Sequence, residues 1–418
     1  MDKLIVEGGV PLRGEVVVGG AKNAALPALA ASLLAEGTDV CLENIPPVVD
    51  IRTMCSLLRN LGAAIDLEGS SARISPKDLK NREAPYDLVR TMRASVLVLG
   101  PLLGRYGYAR VSFPGGCAIG ARPINLHLSG LESMGARISL EGGYIEAQAK
   151  RLKGAEIYLD TPSVTGTENL MMAAVLADGK TCIANAAMEP EIVDLATLLT
   201  AMGARIRGAG TERIEIDGVS RVSGTTHCII PDRIEAATYA AAAAMTGGDI
   251  HLRGACKDHV HAVIQKMTGA GVVFLADAEG LRVTAPGRLR SVDIKTAPYP
   301  GFPTDVQAQF MAMMCVADGT SVIRETVFEN RFMHVAELKR LGADIQIEGP
   351  SAVVRGLASL QGAPVMATDL RASASLVLAG LSASDTTVVS RIYHLDRGYT
   401  AIEEKLSRLG ARIRRVKD

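Results

Sequence analysis

One cysteine lies in a stretch where its thiol could take part in chemistry. Cys117 follows two glycines, and residues 114–123 read Pro-Gly-Gly-Cys-Ala-Ile-Gly-Ala-Arg-Pro. The three glycines permit positive φ and close backbone approach, which is typical of a loop that covers an anion. Arg122 supplies a forked cation that can bind phosphate or carboxylate and can favour the thiolate. The alternative is a buried, unreactive cysteine, a common state of this residue type.

Charged residues recur at the expected first turn of six apolar helical segments. They are Lys22, Arg93, Glu168, Glu235, Asp305 and Arg371. A carboxylate at this place complements the helix dipole, so Glu168 and Glu235 are expected to be structural. A cation there opposes the dipole by about 0.3–1 kcal/mol. The three cations are therefore expected to face an anionic ligand, with helix N–H groups behind them.

A second recurring position, just before the next helix of a copy, carries Arg122, Arg331 and Arg397. A single arginine of this kind is most often a solvated surface residue, but six cations at matching ends of repeats indicate an anion site. Asp305 follows Pro-Gly-Phe-Pro-Thr, an ordinary helix start. If the cations surround a substrate, this carboxylate could instead act as a base toward a hydroxyl.

The elements that must position these residues recur six times, with a period of about 70 residues. Each copy has a hydrophobic-Gly-small signal that is expected to end a helix, an alternating strand after it and a second apolar helix upstream. Two domains of three copies each are expected, with a hinge near residues 228–232. The Cys117 loop lengthens the second copy, which favours a functional loop. The signals are Leu61-Gly62-Ala63, Met134-Gly135-Ala136, Met202-Gly203-Ala204, Leu341-Gly342-Ala343 and Leu409-Gly410-Ala411, with a degenerate fourth copy at Thr268-Gly269-Ala270.

The composition limits the classes of function. Lys plus Arg and Asp plus Glu both total 45 in 418 residues, so the net charge is zero. This balance argues against a broad surface for nucleic acid or anionic membranes. Seven scattered cysteines suit a reducing compartment, and Cys256 with His259 and His261 gives only weak support for a zinc site. With no signal-peptide pattern or membrane-length apolar run, a cytoplasmic location is expected.

Four segments together resemble the family of UDP-N-acetylglucosamine 1-carboxyvinyltransferases, which are enolpyruvyl transferases. They are residues 20–27, 114–123, 300–305 and 396–399, and the resemblance spans essentially the whole chain. It implies an α/β (α+β) fold: a two-domain inside-out α/β barrel built from six βαβαββ repeats, three per domain. Residues 22–231 would form the N-terminal domain with the Cys117 loop, and residues 1–21 with 232–418 the C-terminal domain.

The resemblance also implies a reaction. The enolpyruvyl group of phosphoenolpyruvate would pass to the 3'-hydroxyl of UDP-N-acetylglucosamine through a tetrahedral ketal, with release of phosphate, as the first committed step of peptidoglycan synthesis. No metal or organic cofactor is implied. The partners would be these two small molecules, with no nucleic acid and no membrane. A monomer is expected, although nothing in the sequence sets the oligomeric state.

Site residues follow from the same resemblance. Cys117 would protonate C3 of phosphoenolpyruvate, and Asp305 would act as the base. Phosphoenolpyruvate would be bound by Lys22, Asn23, Arg122, Arg331, Arg371 and Arg397. UDP-N-acetylglucosamine would be contacted by Arg93, Arg122, Pro123, Ile124, Asn125, Leu126, Thr161, Pro162, Ser163, Val164, Asp305 and Val327.

The chain departs from the family's sequence pattern at two positions, and two alternative functions stay open. Asn125 stands where the family often has aspartate, and Thr161 where many members have lysine, so nucleotide affinity is expected to differ while the reaction is kept. The first alternative is enolpyruvyl transfer to shikimate 3-phosphate, by a family not expected to carry the Gly-Gly-Cys loop. The second is a non-catalytic sensor of UDP-sugars, which would not need Lys22, Cys117, Asp305 and Arg397 together.

Overall fold

Residues 2–77, 79–113 and 124–417 are described by a computed structural model. By their contacts they form two units. The N-terminal unit contains residues 20–113 and 124–230, and the C-terminal unit contains residues 2–19 and 231–417. The predicted domain assignment stays a prediction. Cys117, Arg122 and Pro123 lie outside the described residues.

The strands, which are mostly five residues long, are β1 (Lys3–Glu7), β2 (Arg13–Val17), β3 (Val40–Glu43), β4 (Ala64–Glu68), β5 (Ser71–Ser75), β6 (Glu83–Ala84), β7 (Tyr108–Ser112), β8 (Arg137–Glu141), β9 (Tyr144–Gln148), β10 (Glu156–Tyr158), β11 (Lys180–Ala184), β12 (Arg205–Arg207), β13 (Arg213–Asp217), β14 (Thr226–Cys228), β15 (Asp249–Arg253), β16 (Val273–Ala276), β17 (Gly280–Thr284), β18 (Ile294–Lys295), β19 (Thr320–Arg324), β20 (Asp344–Glu348), β21 (Ser351–Arg355), β22 (Pro364–Met366), β23 (Thr386–Ser390) and β24 (Arg412–Val416).

The α-helices are α1 (Lys22–Ala31), α2 (Val49–Leu61), α3 (Tyr86–Val89), α4 (Leu99–Tyr106), α5 (Asn125–Ser133), α6 (Val164–Ala174), α7 (Pro190–Ala201), α8 (Arg233–Met245), α9 (His261–Gly269), α10 (Gln307–Met314), α11 (His334–Arg340), α12 (Ala372–Ser382) and α13 (Ile402–Arg408). Short 3₁₀ helices span Ser32–Leu34, Arg93–Val98, Lys257–Val260, Thr304–Val306 and Ile392–Arg397.

Each repeat builds one four-stranded sheet in the order first, second, fourth, third strand. In the second repeat, β6 pairs in parallel with β7, β7 is antiparallel to β9, and β9 is antiparallel to β8. Side chains alternate across each pair: Val111 of β7 lies opposite Ile145 of β9, and both are buried. The six repeats are therefore βαβαββ units, as expected from the sequence, and the fold is mixed α/β.

Strands from distant parts of the chain complete three of the sheets. The first repeat takes its first strand from β14, which follows the third repeat and pairs in parallel with β3. The fourth repeat takes its first strand from β2. The sixth takes its last strand from β1, which lies between β23 and β24. Each unit thus closes on itself through strand pairing.

The first helix of each repeat is largely buried, as expected for a helix that is mostly apolar. In the C-terminal unit, α8, α10 and α12 contact one another, and every residue from Ile234 to Met245 of α8 is buried. In the N-terminal unit, α6 contacts both α1 and α4. Buried helices surrounded by sheets are the inside-out arrangement that the sequence predicts. Within the described ranges, no helix is long and apolar enough to cross a membrane.

Glycines in the left-handed conformation end the second helix of every repeat, with one change from the prediction. Gly62 shows the pattern: its φ is 108°, and the N–H groups of Gly62 and Ala63 bond back to the last turn of α2. In the fourth repeat, Gly269 is the last residue of α9, and Gly271, with φ 103°, makes the equivalent bonds. The predicted signal at Thr268-Gly269-Ala270 is therefore wrong by two residues, because a helix end of this kind favours glycine at the residue whose φ is positive, and that residue is Gly271.

Candidate functional site

Asp305 lies between two arginines in the C-terminal unit. It belongs to the 3₁₀ turn Thr304–Val306 that leads into α10. Its Oδ1 accepts a hydrogen bond of 2.7 Å from Nη2 of Arg331, and its Oδ2 lies 3.4 Å from Nε of Arg371. Both arginine side chains are buried, whereas about a quarter of the Asp305 side chain is exposed (26%). The arrangement holds a carboxylate at an accessible position between two fixed cations.

Arg371 is a cation inside the protein. It precedes α12, and its Nη2 lies 3.7 Å from the Asp232 carboxylate. Its guanidinium also stacks over the Tyr399 ring at 5.3 Å from the centroid. Burial disfavours the charge, but Asp232, Tyr399 and Asp305 outweigh it and raise the pKa of Arg371 above its ordinary value. The guanidinium is therefore a permanent positive charge at this end of the unit.

The main chain of Asp305 is tied to the other repeats of its unit. Nε2 of Gln309, one turn further along, donates to the carbonyl of Asp305 at 3.1 Å. The same amide lies 3.1 Å from both the Thr238 hydroxyl and the Tyr399 hydroxyl, which are 2.9 Å apart. These side chains are buried and come from the fourth, fifth and sixth repeats. A buried polar network of this kind fixes the turn that presents Asp305.

A second aspartate organises the start of α12. Oδ1 of Asp369 accepts the main-chain N–H groups of Arg371 and Ala372, at 2.8 and 2.9 Å. His334 is fully buried nearby, and burial lowers its pKa to about 4, with Asp369 opposing and Arg331 assisting the shift. His334 is therefore neutral at physiological pH, and the charges that surround Asp305 are those of the arginines and carboxylates.

The remaining predicted residues of this unit lie in nearby loops. Arg397 is the last residue of the 3₁₀ helix Ile392–Arg397, and Nη1 of Arg371 lies 3.5 Å from the carbonyl of the next residue, Gly398. The N–H of Val327 donates to Oε1 of Glu325 at 2.8 Å. The structure thus brings Asp305, Arg331 and Arg371 into direct contact and connects Arg371 with the Arg397 turn.

In the N-terminal unit, Lys22 is paired with a carboxylate that the sequence analysis missed. Lys22 is the first residue of α1, and Asn23 is the second. The Lys22 ammonium donates to Oδ2 of Asp50 at 3.0 Å, and both side chains are buried. Asp50 lies in the first turn of α2, where it looks like an ordinary helix-start residue. The pairing holds the Lys22 side chain in one place.

His127 is a buried histidine whose titration is affected by Arg93. Nδ1 of His127 accepts from the Asn169 amide at 2.9 Å. Burial, assisted by the positive charge of Arg93, lowers the pKa of His127 to about 4. Arg93 begins the 3₁₀ helix that precedes α4, and His127 is on α5. Ile124, Asn125 and Leu126, the predicted nucleotide contacts, lie at the start of α5.

The segment 161–164 leads into α6. Thr161 and Pro162 are exposed. Ser163 caps the helix, since its hydroxyl accepts the N–H of Gly166 at 3.1 Å, and Val164 is the first helical residue. A hydroxyl acceptor and a helix N-terminus at this place suit a polar or anionic ligand.

Glu168 and Glu235, the two recurring carboxylates that were expected to be structural, differ from each other. Glu235 lies in the first turn of α8 and accepts the Gly19 N–H at 2.6 Å and the Lys405 ammonium at 2.7 Å. These bonds agree with the predicted structural role. Glu168 is in the second turn of α6, so its predicted position in the first turn is wrong. Burial, with Glu191 and Glu189 nearby, raises the pKa of Glu168 well above its ordinary value.

Several residues that contact predicted site residues were not themselves predicted as site residues. They are Asp50, Asp232, Thr304, Gln309, Glu325 and Tyr399. Thr304 and Tyr399 lie within the segments 300–305 and 396–399, and Asp232 caps α8, since its Oδ1 accepts the N–H groups of Ile234 and Glu235. The others contact site residues that are distant in sequence or one helical turn away. Within the described ranges, no cluster of three or more His, Cys, Asp or Glu side chains could hold a metal ion.

Comparisons with known proteins cover essentially the whole chain. The family model EPSP synthase (3-phosphoshikimate 1-carboxyvinyltransferase) matches residues 6–406. Proteins named UDP-N-acetylglucosamine 1-carboxyvinyltransferase from Thermodesulfovibrio yellowstonii and Geobacter metallireducens are each 59% identical over 418 residues, which is 100% of both chains.

Two solved structures have the same fold. The enolpyruvyl transferase NikO from Streptomyces tendae is 27% identical with a TM-score of 0.89, over 99% of this chain and 98% of that one. EPSP synthase from Acinetobacter baumannii is 18% identical with a TM-score of 0.78, over 100% of both chains. The second likeness concerns the fold alone.

Proposed function

Because the chain belongs to the EPSP synthase (3-phosphoshikimate 1-carboxyvinyltransferase) family and, within it, to the UDP-N-acetylglucosamine 1-carboxyvinyltransferases, we propose that it transfers the enolpyruvyl group of phosphoenolpyruvate to the 3'-hydroxyl of UDP-N-acetylglucosamine. Phosphate is released, and the product enters peptidoglycan synthesis. The observation that carries this function is 59% identity over the full length with relatives of that name. The chain is a transferase, and its substrates are small molecules.

The reaction has two steps in this proposal. In the addition, C3 of phosphoenolpyruvate takes a proton from Cys117 while the sugar oxygen bonds to C2 and gives up its own proton, which forms a tetrahedral ketal. In the elimination, C3 loses a proton and the C2–O bond to phosphate breaks, which restores the double bond. Asp305 acts as the base. Its partly exposed carboxylate between Arg331 and Arg371 supports this role.

The anionic substrates account for the cations in both units. Phosphoenolpyruvate carries phosphate and carboxylate groups, and we assign them to Lys22, Asn23, Arg122, Arg331, Arg371 and Arg397. Fixed cations bind such groups well when their own positions are held by buried partners. Asp50 does this for Lys22, and Asp232 does it for Arg371.

UDP-N-acetylglucosamine is assigned to Arg93, to residues 122–126, to residues 161–164, and to Asp305 and Val327. The capped N-terminus of α6 at Ser163 and the start of α5 support a polar ligand here. We further propose that the protein works as a monomer in the cytoplasm, where both substrates are made.

Transfer to shikimate 3-phosphate is the second candidate, because the matching family model carries that description. The relatives named as UDP-N-acetylglucosamine transferases are 59% identical, compared with 18% for the solved EPSP synthase. The first activity is therefore favoured, and both acceptors belong in the test.

The test is phosphate release from phosphoenolpyruvate with UDP-N-acetylglucosamine, with shikimate 3-phosphate or with no acceptor. It is run on the parent, on Cys117→Ala and on Cys256→Ala as a matched control. Release that needs UDP-N-acetylglucosamine and is lost only in Cys117→Ala is expected. Release with shikimate 3-phosphate would support the second candidate, and no release from folded parent would favour a UDP-sugar sensor.

A further inference from the structure

Glu325 joins three separate segments of the C-terminal unit. It directly follows β19 and is buried. Its Oε1 accepts hydrogen bonds from the Thr296 hydroxyl at 2.7 Å, from the N–H of Val327 at 2.8 Å and from the N–H of Phe328 at 3.2 Å. Its Oε2 accepts the Thr304 hydroxyl at 2.8 Å. One buried carboxylate therefore fixes the chain after β18, the turn before α10 and the loop after β19.

The first and third repeats connect the same two segments without a carboxylate at this place. In the first and third repeats the residue after the second strand is asparagine. Asn44 donates its amide to the carbonyl of Ile229 at 2.8 Å, and Asn185 donates to the carbonyl of Leu159 at 2.7 Å. In both cases the acceptor is the residue after the first strand. In the fifth repeat the residue after the first strand is Thr296, and its hydroxyl donates to Glu325. The residue after the second strand is therefore the acceptor here, whereas in the first and third repeats it is the donor.

The exchange has a consequence for Arg331. Nη1 of Arg331 donates to the Thr304 hydroxyl oxygen at 2.8 Å, and Nη2 donates to Asp305 at 2.7 Å. A guanidinium only donates and a carboxylate only accepts, so the Thr304 hydroxyl must accept from Arg331 and donate to Glu325. This chain of directed hydrogen bonds holds Nη1 of Arg331 on Thr304, while Nη2 is held by Asp305.

We propose that Glu325 is a positioning residue for the enolpyruvyl transfer. Through Oε2 and Thr304 it orients Arg331 against Asp305, and through Oε1 it holds the Val327 loop against the sugar nucleotide. The two oxygens thus serve two different parts of the reaction. This proposal rests on the proposed function, since Asp305 and Val327 have their roles only in that reaction.

The substitution Glu325→Gln removes the negative charge of the side chain while keeping its shape. A glutamine has the same size, but its amide nitrogen is a donor. If that nitrogen faces Thr304, it meets the hydroxyl as a second donor, and the Thr304 hydroxyl can no longer both accept from Arg331 and donate to residue 325. If the amide is turned round, the nitrogen faces the Thr296 hydroxyl and the N–H groups of the Val327 loop, which are donors as well. Neither orientation can replace the carboxylate.

The experiment measures kcat and KM for Glu325→Gln, Thr304→Val and Thr304→Ser with phosphoenolpyruvate and UDP-N-acetylglucosamine. Thr304→Val keeps the shape of the side chain but breaks this chain of hydrogen bonds, and should lower kcat by about 100-fold, the effect of a small misplacement of a reacting group. Its KM for the sugar nucleotide should change little, because the Val327 loop stays bound to Oε1. Glu325→Gln should lower kcat by a similar factor and also raise that KM. Thr304→Ser keeps the hydroxyl and should retain most of the parent kcat.

Asp277→Asn is the matched control. Asp277 is a carboxylate of the same unit whose Oδ1 accepts the N–H groups of Glu279 and Gly280, at 2.8 and 2.9 Å, in a turn before β17. Its loss should leave kcat and KM within about twofold of the parent, as is usual for a change away from the reacting groups. Thermal unfolding of every variant shows whether a lowered kcat reflects loss of folded protein.

Each outcome decides something. A folded Glu325→Gln with the parent kcat and KM would overturn the proposal. If Glu325→Gln does not fold, the threonine pair decides, and equal kcat values for Thr304→Val and Thr304→Ser would overturn it. A kcat that falls only in proportion to the folded fraction, with no change in KM, would show a structural role alone and also overturn it. No turnover by the folded parent would refute the proposed function, and this proposal with it.

Discussion

The buried histidine of the N-terminal unit predicts how stability depends on pH. Asn169 donates to Nδ1 of His127, and the orientation of the Asn169 amide is set by two further bonds, from the N–H of Gly100 at 2.6 Å and to the carbonyl of Val96 at 3.2 Å. Protonation of His127 would place an N–H against the N–H of Asn169. This conflict agrees with the low pKa of about 4 that burial produces.

The sign and the size follow from proton linkage. The pKa of His127 falls from 6.5 to about 4 on folding, so the unfolded chain binds the proton first as the pH falls. The contribution of His127 therefore leaves the free energy of unfolding undiminished above about pH 6.5, and the folded protein loses stability as the pH drops below that value. Between pH 7 and pH 5 the loss is about 2 kcal/mol for this one group. That is a large part of a typical unfolding free energy of about 5–15 kcal/mol.

The assay is urea unfolding of the parent and of His127→Gln at pH 7 and pH 5. Glutamine can accept from Asn169 but does not titrate, so the variant should lose about 2 kcal/mol less than the parent over this interval. His261→Gln, at an exposed position on α9, should lose as much as the parent. An equal loss in the parent and His127→Gln would refute the reasoning, because His127 would then bind its proton in the folded protein.

Three further predictions concern stability. Asp50→Asn removes the carboxylate that is hydrogen-bonded to the buried Lys22 ammonium and should cost about 3–5 kcal/mol in urea unfolding; a cost below about 1 kcal/mol would mean that the pair is solvated. Ser163→Ala removes the cap of α6 and should cost about 1 kcal/mol; unchanged stability would contradict the cap. Gly271→Ala should cost about 1 kcal/mol in thermal unfolding, because φ at this position is 103°. Gly269→Ala should be neutral or stabilising, because Gly269 is helical and the nearest contact of the new Cβ would be at 3.6 Å. The reverse order would mean that the helix ends at Gly269, as the sequence signal predicted.

The repeat pattern was predictable because its signals are local. A glycine with positive φ, a buried helix rich in alanine and a strand with alternating side chains each depend on residues within one or two turns. The misplaced helix end in the fourth repeat shows the limit. Gly269 and Gly271 are two residues apart, and only the observed φ angles tell which of them ends the helix.

The composition of the site was partly predictable as well. The cations Lys22, Arg93, Arg331, Arg371 and Arg397 were found because repeats align them, and a cation at a helix start is unusual enough to notice. Apart from Asp305, their partners are ordinary residue types in ordinary places, so nothing in the sequence distinguishes them from surface carboxylates and hydroxyls.

What the sequence determined by itself is the set of elements, their sixfold recurrence and the residue types that could bind anions. The tertiary structure decided which strands complete the sheets and which groups meet: β14 with β3, Lys22 with Asp50, and Arg331 and Arg371 with Asp305. The physical reason is that local propensity acts within a few residues. These contacts join distant parts of the chain, and they form only when each unit closes its sheets around its buried helices.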